Sequence, residues 1–325
     1  MIAYILRRIL YALPILIGVN IITFVLFFVV NTPDDMARMN LGQKRVTQEA
    51  IQKWKTERGY DKPLLWNSNT GGAGKLTDTI FYRHSVKLFV FDFGRSDSGR
   101  DISYDISQRM WPSLAITVPG LLLGLLAYIT FGLTLDFFRA TYVDIAGVVI
   151  CVIMMSISGL FYIIGGQYLI GKFLHLVPIS GYDIGPEAFK FVVLPVLVGL
   201  IGSIGASTRW YRTIFLEEMN RDYVRTARAK GIPEQQVLFR HVLMNGMIPI
   251  LTGVVVLLPT LFIGSLVMES FFAIPGLGSY TIDAINMQDF AIVRSMVFLG
   301  SVLYIIGLIL TDISYTLVDP RVRLE

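Results

Sequence analysis

Long apolar runs are the feature that most restricts what this chain can fold into. A helix needs about 20 mostly apolar residues to cross roughly 30 Å of hydrocarbon. Residues 9–30 form such a run, and its only polar interruptions are Tyr11, Asn20 and Thr23. The run is longer than the apolar core of a signal peptide, and no Ala-x-Ala cleavage pattern follows it. We therefore expect a retained membrane span.

Five further runs of the same kind follow. They are residues 114–135, 145–170, 191–207, 247–268 and 295–315. Charged residues make up only 16% of the chain, whereas ordinary soluble domains carry about 25%. The sequence thus predicts an all-α integral membrane protein with six transmembrane helices. Gly264 falls inside the fifth run, where we expect substitution by alanine to be mild.

Lysine and arginine in short loops set the orientation of membrane spans. Twelve basic residues fall near the chain ends, at position 139 and within 209–240. The short loops of the opposite side hold three, Lys172, Lys190 and Arg294. This excess predicts that both termini and segment 209–245 are cytoplasmic. Segment 31–111 is then expected outside, because long loops translocate largely regardless of charge.

Segment 31–111 is predicted to be a small extracytoplasmic subdomain between the first and second spans. Within it, residues 48–54 predict a short helix and residues 88–94 predict extended structure. Gly74-Lys75 resembles part of a phosphate-binding loop, but Asn69 and Leu76 occupy positions that the pattern requires to be glycine and serine or threonine. The chain divides into the N-terminal end with the first span (1–30), the outer segment (31–111) and a transmembrane core (112–325).

Segment 209–245 is predicted to form two helices joined by a turn. Residues 217–230 carry acids early and bases late, which matches the helix dipole. Gly231 permits a chain reversal, and Pro233 suits the first turn of the second helix. Composition alone leaves two interpretations open, a docking element for a partner and a solvated basic loop.

The hairpin sequence 222–231, DYVRTARAKG, resembles the coupling-loop signature of ABC-importer permeases. More specifically, it resembles the B-type permease subunit of dipeptide and oligopeptide importers. Arg225 and Thr226 replace the Glu and Ala of the general signature, a change that the peptide-type variants share. The outer segment is longer than usual around residues 66–88. The resemblance continues in order through residues 92–96, 177–181, 194–195, 239–241, 248–249, 269–278 and 312–321.

The resemblance implies a type I ABC importer permease architecture in a bacterial or archaeal cytoplasmic membrane, which is the inner membrane of a Gram-negative cell. The implied partners are a homologous second permease subunit, two ATP-binding subunits, an extracytoplasmic solute-binding protein and membrane lipid, without nucleic acid. ATP and magnesium belong to the partner subunits, so this chain is expected to be non-catalytic and to bind no cofactor. Peptide is the favoured substrate, while nickel chelates, oligosaccharides and peptide antibiotics stay open.

Two sets of site residues follow from the resemblance. Small residues permit close approach to a groove on an ATP-binding subunit, and basic side chains either pair with its acids or form a solvated face. The expected coupling residues are Tyr223, Arg225, Ala227, Arg228, Ala229, Lys230, Gly231 and Pro233. The expected contacts to the solute-binding protein are Asp92, Phe93, Gly94, Arg95 and Ser96. The substrate path is not assigned.

Two other functions compete with this interpretation. A secondary transporter or channel usually shows paired ionisable residues at mid-membrane. Asp136, Glu269 and Asp312 lie near span ends, where we expect them to reach interfacial water, and no mid-membrane ion pair is expected. An intramembrane enzyme is disfavoured, because the sequence has neither a His-pair metal spacing nor a Ser/His arrangement on facing spans.

Overall fold

The computed structural model describes residues 2–42, 46–185 and 187–318. The end of the predicted block 312–321 and the basic residues Arg321 and Arg323 lie outside the described residues. The described chain is helical, and it contains no β-strand beyond one bridge between Arg95 and Asp101. The prediction of an all-α membrane protein is therefore confirmed at this level.

The described residues form sixteen α-helices. They are α1 (Ile2–Phe24), α2 (Pro33–Leu41), α3 (Gln48–Arg58), α4 (Gly74–Thr77), α5 (Ile80–His84), α6 (Ile102–Phe137), α7 (Tyr142–Ser156), α8 (Gly159–Gly166), α9 (Ala188–Met219), α10 (Asp222–Ala229), α11 (Glu234–Val237), α12 (Met244–Leu257), α13 (Thr260–Ile263), α14 (Leu266–Phe271), α15 (Leu277–Met287) and α16 (Phe290–Val318). Wider π-helical turns extend α1 through Val25–Val30, extend α8 through Gln167–Phe173 and join α11 to α12 through Leu238–Leu243.

Five helical segments of the described chain are long and apolar enough to cross a membrane. They are Leu10–Val30, Ile102–Phe137, Ala188–Met219, Glu234–Phe271 and Phe290–Ile313. Each overlaps one predicted span. The helices are mostly longer than the apolar runs, because polar residues at both ends continue the helical hydrogen bonding.

The third predicted span, 145–170, is broken rather than continuous. Helix α7 and the α8 helix with its π-helical extension form a pair that is bent by 89°. The backbone is extended at Ile157 (ψ 128°) and Ser158 (ψ 142°), which separates the two helices. Ser156 Oγ donates to the carbonyl of Val152 at 2.9 Å, a local bond of the kind that bends helices. Apolar composition alone does not record such a break.

The chain divides into two compact units by its internal contacts. Of the described residues, those within 2–109 and 280–309 form the N-terminal unit, and those within 110–279 and 310–318 form the central unit. The N-terminal unit has an aromatic core, whose buried members are Phe24, Phe28, Met36, Ala37, Ile51, Trp54, Tyr60 and Ile80. The central unit has two buried apolar clusters, one of which supports the 209–245 hairpin.

Two local predictions fall in the N-terminal unit, a helix at residues 48–54 and extended structure at residues 88–94. The helix predicted at 48–54 is confirmed as α3, which begins after the side-chain cap of Thr47. The extended structure predicted at 88–94 is wrong. Val86–Val90 form a 3-10 helix, and Phe91 ends it with a left-handed backbone (φ 58°) whose N–H donates to the Leu88 carbonyl at 3.0 Å. The consecutive apolar residues there show no strand periodicity.

Gly264 is not an ordinary helix residue, contrary to expectation. It separates α13 from α14 with a positive φ of 76°. A Cβ atom at this position would overlap the Glu269 carboxylate and the Ser113 hydroxyl. The predicted mild effect of alanine at Gly264 is therefore wrong, because only glycine fits both the backbone and the space.

Candidate functional site

The 209–245 hairpin begins with a helix break that the sequence did not suggest. The predicted helix 217–230 is interrupted, since α9 ends at Met219 and α10 begins at Asp222. Asn220 Nδ2 donates to the Leu216 carbonyl at 3.0 Å. Arg221 is extended, with ψ 150°. The result is a separate helix of eight residues, α10, which changes direction after α9.

Helix α10 is amphipathic and is anchored by one face. Val224 and Ala227 are buried in a cluster that includes Phe215 of α9 and Val237 of α11. Exposed on α10 and at its C-cap are five of the other predicted coupling residues, Tyr223, Arg225, Arg228, Ala229 and Lys230. The expectation that Ala227 lies in a partner's groove is wrong, because its side chain packs inward.

The turn after α10 is built around Gly231. Its φ is 73°, as a chain reversal at glycine predicts, and its N–H donates to the Arg228 carbonyl at 3.0 Å. No atom lies within 4 Å of the place where a Cβ would stand. Pro233 is the N-cap of α11, with ψ 140°, and so precedes the first turn in which it was predicted. The turn thus presents glycine on an open surface.

Several charges of the hairpin are already paired within the chain. Arg228 binds Glu234 through two bonds, Nε–Oε2 at 3.1 Å and Nη2–Oε1 at 2.6 Å, and so links the two sides of the turn. Arg225 Nη1 lies 3.5 Å from Asp222 Oδ1. No acidic side chain among the described residues lies within 4.0 Å of Lys230. Of the three predicted cations, Lys230 is therefore the one without such an ion pair.

Tyr223, on the exposed side of α10, is held in place by the carboxylate of Glu218. Its hydroxyl donates to Glu218 of α9. Burial and the Glu218 carboxylate raise the pKa of the Tyr223 hydroxyl well above its usual range, so the ring stays neutral. The bond ties the start of α10 to the end of α9.

A buried ion pair lies in the central unit, and the sequence analysis missed it. Arg212 of α9 places Nη2 2.7 Å from Asp144 Oδ1 and Nε 3.4 Å from Asp136 Oδ1. The side chain of Asp136 is 0% exposed, so the expectation that it reaches interfacial water is wrong. The sequence did contain a signal for this ion pair. An arginine and two acidic residues lie beside apolar runs, where unpaired charges are costly.

Glu269 is also buried, contrary to expectation, and its carboxylate is hydrogen-bonded on both oxygens. Oε1 accepts from Ser113 Oγ at 2.8 Å and from the Ser265 N–H at 3.1 Å. Oε2 accepts from the Ser279 N–H at 3.0 Å. The Ser113 hydroxyl in turn accepts from the Leu277 N–H at 2.9 Å. These bonds join α6, the start of α14 and the start of α15, which is a structural role. Asp312 is half-buried.

The predicted contacts to a solute-binding protein line one open cavity of the N-terminal unit, with a volume of about 1000 Å³. Asp92, Gly94 and Arg95 are exposed, whereas Phe93 and Ser96 are buried. Gly94 has a φ of 75°, and Asp92 Oδ1 accepts from its N–H at 3.3 Å. Asp92, Gly94 and Arg95 are therefore the three of the five that a partner can reach.

A smaller cavity of about 240 Å³ lies in the central unit. The Tyr128 hydroxyl lies 2.5 Å from Ser203 Oγ on its lining, beside Thr117 and Met268. No group of three or more His, Cys, Asp or Glu side chains within the described residues is placed to hold a metal ion.

Comparison with known proteins identifies the family. Residues 129–324 match the model of the binding-protein-dependent transport system inner membrane component. Residues 1–70 match the corresponding N-terminal membrane component. Together the two matches cover the first span, the bent pair, the hairpin and the buried Glu269.

Curated relatives match along their whole length. A putative peptide transport system permease protein of Brucella abortus is 31% identical, with 100% of both chains covered. A glutathione transport system permease protein of Salmonella paratyphi A is 29% identical, with 99% of both chains covered. The oligopeptide transport system permease protein of Bacillus subtilis is 28% identical, over 99% of this chain and 100% of the relative.

The predicted resemblance is therefore confirmed. Membership of this family excludes the competing interpretations as a secondary carrier, a channel or an intramembrane enzyme. This chain belongs to the inner membrane components of binding-protein-dependent transport systems, the non-catalytic permease subunits of ABC importers.

Proposed function

We propose that this chain forms one half of the translocation pathway of a peptide importer and pairs with a homologous second permease subunit. The named substrates of its relatives support this proposal. The Brucella abortus and Bacillus subtilis relatives are named for peptide and oligopeptide transport, and the Salmonella relative for glutathione, itself a peptide. Peptides are therefore the substrate class, ahead of nickel chelates, oligosaccharides and peptide antibiotics.

The hairpin is proposed to couple this subunit to one of two ATP-binding subunits, which hold ATP and magnesium. The observation that carries the proposal is the division of α10 into two faces. Val224 and Ala227 anchor the helix, while Arg225, Ala229 and Lys230 are exposed beside the open turn at Gly231. An anchored short helix moves as a rigid body, so closure of the ATPase pair displaces the helices to which it is joined.

The arrangement in the membrane follows from the charge distribution. Both termini and the hairpin face the cytoplasm, and six spans result when the bent pair α7–α8 is counted as one crossing. Segment 31–111 is the extracytoplasmic subdomain that meets the solute-binding protein, with Asp92, Gly94 and Arg95 at the contact. Residues 1–30 and 112–325 form the first span and the transmembrane core.

The test compares two substitutions at Gly231. Alanine and tryptophan both oppose the left-handed backbone, at a cost of about 1–2 kcal/mol. Among the described residues, no atom beyond the chain neighbours lies within 4 Å of the Cβ position, so the Cβ of either variant meets no obstacle within the subunit. A further loss in Gly231→Trp relative to Gly231→Ala therefore reports the approach of a partner.

The measurements are peptide uptake by cells and ATPase stimulation by liganded binding protein in purified complexes. We expect Gly231→Ala to retain a substantial part of both activities and Gly231→Trp to lose uptake, through lost assembly or lost stimulation. Equal uptake and equal ATPase stoichiometry in the two variants would show that the turn contacts no partner. In that case the hairpin is a solvated basic loop.

A further inference from the structure

The open cavity of the N-terminal unit has more basic than acidic residues on its lining. Its volume of about 1000 Å³ is at the upper end of ordinary small-molecule sites, which span roughly 300–1,000 Å³. The basic residues on its lining are Arg58, Lys62, Arg83, Lys87, Arg95 and Arg294. The acidic residues on it are Glu57, Asp61, Asp92 and Asp97. Positive side chains are thus in excess.

Four of the six basic side chains have acidic partners. Arg58 Nε lies 2.7 Å from Asp97 Oδ1, and Lys87 Nζ lies 3.0 Å from Asp92 Oδ2. Lys62 and Arg83 both bind Asp78. Within the described residues, no carboxylate lies within 4.0 Å of the guanidinium groups of Arg95 and Arg294. Arg95 and Arg294 are therefore the two basic residues of the lining without an acidic partner in the described part of the chain.

Arg294 is the more unusual of the two, because it is only 2% exposed. Its guanidinium carbon lies 5.1 Å from the centre of the Phe28 ring, and Nη2 lies 3.4 Å from His84 Nδ1. Nε and Nη1 are buried and have no hydrogen bond of ordinary geometry among the described residues, with Tyr60 as their polar neighbour. A buried guanidinium with unsatisfied N–H groups is energetically costly. Its charge is also poorly screened, which makes the adjoining cavity attractive to an anion.

His84 does not offset this charge. Burial and the neighbouring Arg294 lower the pKa of the His84 imidazole to about 3, so the ring is neutral at physiological pH. A neutral imidazole accepts a hydrogen bond from Nη2, and the Tyr60 side chain is a further hydrogen-bonding neighbour of Arg294. Neither neighbour carries a negative charge, and a guanidinium matches a carboxylate or phosphate through parallel N–H bonds.

We propose that this cavity is an oxyanion-binding site, which takes a carboxylate or phosphate group with Arg294 as the buried partner and Arg95 as the exposed one. The apolar side chains of Leu88 and Phe93 on the lining accommodate the carbon skeleton of an organic anion. The proposal concerns binding to this chain alone and does not depend on the transported substrate.

Calorimetric titration of the purified full chain in phosphatidylcholine nanodiscs tests this site. The probes are N-acetyl-trialanine, its C-terminal amide and sodium phosphate, at constant ionic strength. We expect saturable binding of N-acetyl-trialanine or of phosphate, and none of the amide, which lacks the negative charge. The bound anion could also be a lipid head group. Nanodiscs with added phosphatidylglycerol test this source, because an anionic head group in the cavity lowers the apparent affinity for the soluble anion.

Single substitutions assign the binding to the two arginines. Arg294→Gln and Arg95→Gln should each weaken binding about tenfold or more, since each removes a charged donor. Arg294→Lys keeps the charge and loses the planar fork, so it should bind more weakly than the parent and more tightly than Arg294→Gln. Arg100→Gln is the matched control, since Arg100 is exposed on the same segment and does not line the cavity.

Two results overturn the proposal. One is the lack of saturable binding for every anionic probe, in both lipid compositions. The other is an affinity that is unchanged in Arg95→Gln and in Arg294→Lys or Arg294→Gln, for variants whose melting temperature shows that they are folded. Because Arg95 is exposed, its variant keeps the test valid even if Arg294→Gln does not fold.

Discussion

Arg212 Nη2 lies 2.7 Å from Asp144 Oδ1, an ion pair between α9 and the first turn of α7. The same guanidinium lies 3.4 Å, through Nε, from the fully buried Asp136 near the end of α6. One cation of α9 thus contacts the end of α6 and the start of α7 in the central unit. It sits on α9 one turn before Phe215, whose ring lies in the cluster that anchors α10.

Removing this cation should destabilise the protein strongly. Arg212→Gln leaves two carboxylates facing each other, one of them without solvent contact. Breaking a buried pair in this way costs about 3–5 kcal/mol. We expect a clear fall in the melting temperature of the purified subunit in detergent, followed by loss of transport.

Arg209→Gln is the matched control for Arg212→Gln. Arg209 is an exposed arginine on the same helix, and its Nη1 makes a weak contact with Met155 Sδ at 3.6 Å. The double variant Arg212→Gln/Asp136→Asn should recover part of the lost stability, because it removes one uncompensated charge. A melting temperature for Arg212→Gln equal to that of Arg209→Gln would contradict the role of the ion pair.

Gly276→Ala should destabilise the central unit. A Cβ at Gly276 would overlap the Glu269 carboxylate and the Ser113 hydroxyl. Overpacking costs about 1–3 kcal/mol, and displacement of the carboxylate breaks bonds to buried N–H groups. Gly120→Ala is the control, because no atom lies within 4 Å of its Cβ position in α6. Thermal unfolding should separate the two variants, and a Gly276→Ala protein as stable as Gly120→Ala would rule out the tight packing.

His84 should make stability depend on pH. Its pKa in the folded chain is lowered to about 3, against an ordinary value of 6.5, because burial and the Arg294 charge disfavour the imidazolium. The unfolded chain therefore binds a proton that the folded chain does not. Stability is complete above pH 6.5 and falls as the pH decreases from there toward 3, by up to ~1.4 kcal/mol per pH unit.

The measurement compares melting temperatures between neutral and mildly acidic pH. We expect His84→Gln to lose less stability on acidification than the parent protein. His175→Gln serves as the control, since His175 is exposed. Parallel pH profiles for the parent and His84→Gln would show that the imidazole takes up its proton while the chain is folded.

Single cysteines can establish the orientation. Ser68→Cys and Gln235→Cys are placed in a Cys151→Ala background, at two exposed positions. An impermeant thiol reagent on intact cells should label Ser68→Cys and spare Gln235→Cys until the membrane is opened. This outcome follows from the concentration of basic residues around the hairpin. The reverse labelling pattern would invert the topology.

Local features were predictable from the sequence. The spans follow from apolar length, and the positive φ at Gly231 follows from the need to reverse the chain between two helices. The break at Asn220 was missed because both flanking stretches favour helix. Ala227 was assigned to a partner's groove from its place in the coupling-loop signature and its small size. Its spacing of three residues from Val224 was the signal that the two share the inward face.

Long-range polar contacts were not predictable. Ser113 and Glu269 are 156 residues apart in the chain, and no local pattern marks them as partners. The same holds for Arg212 with Asp136 and for Arg294 with His84. Such pairs arise when helices distant in sequence pack together, so a single sequence shows only that isolated charges near apolar runs need some partner.

The 89° bend at Ile157 and Ser158 determines whether the number of membrane crossings is even or odd. When the bent pair crosses the bilayer, α9 returns the chain to the side on which the N-terminus lies. When the pair instead enters and leaves the bilayer on the same side, every later loop lies on the opposite side of the membrane. The proposed coupling turn at Gly231 then lies in the opposite compartment. Two extended residues between α7 and α8 thereby bear on which compartment receives the hairpin, although they lie about fifty positions before its start.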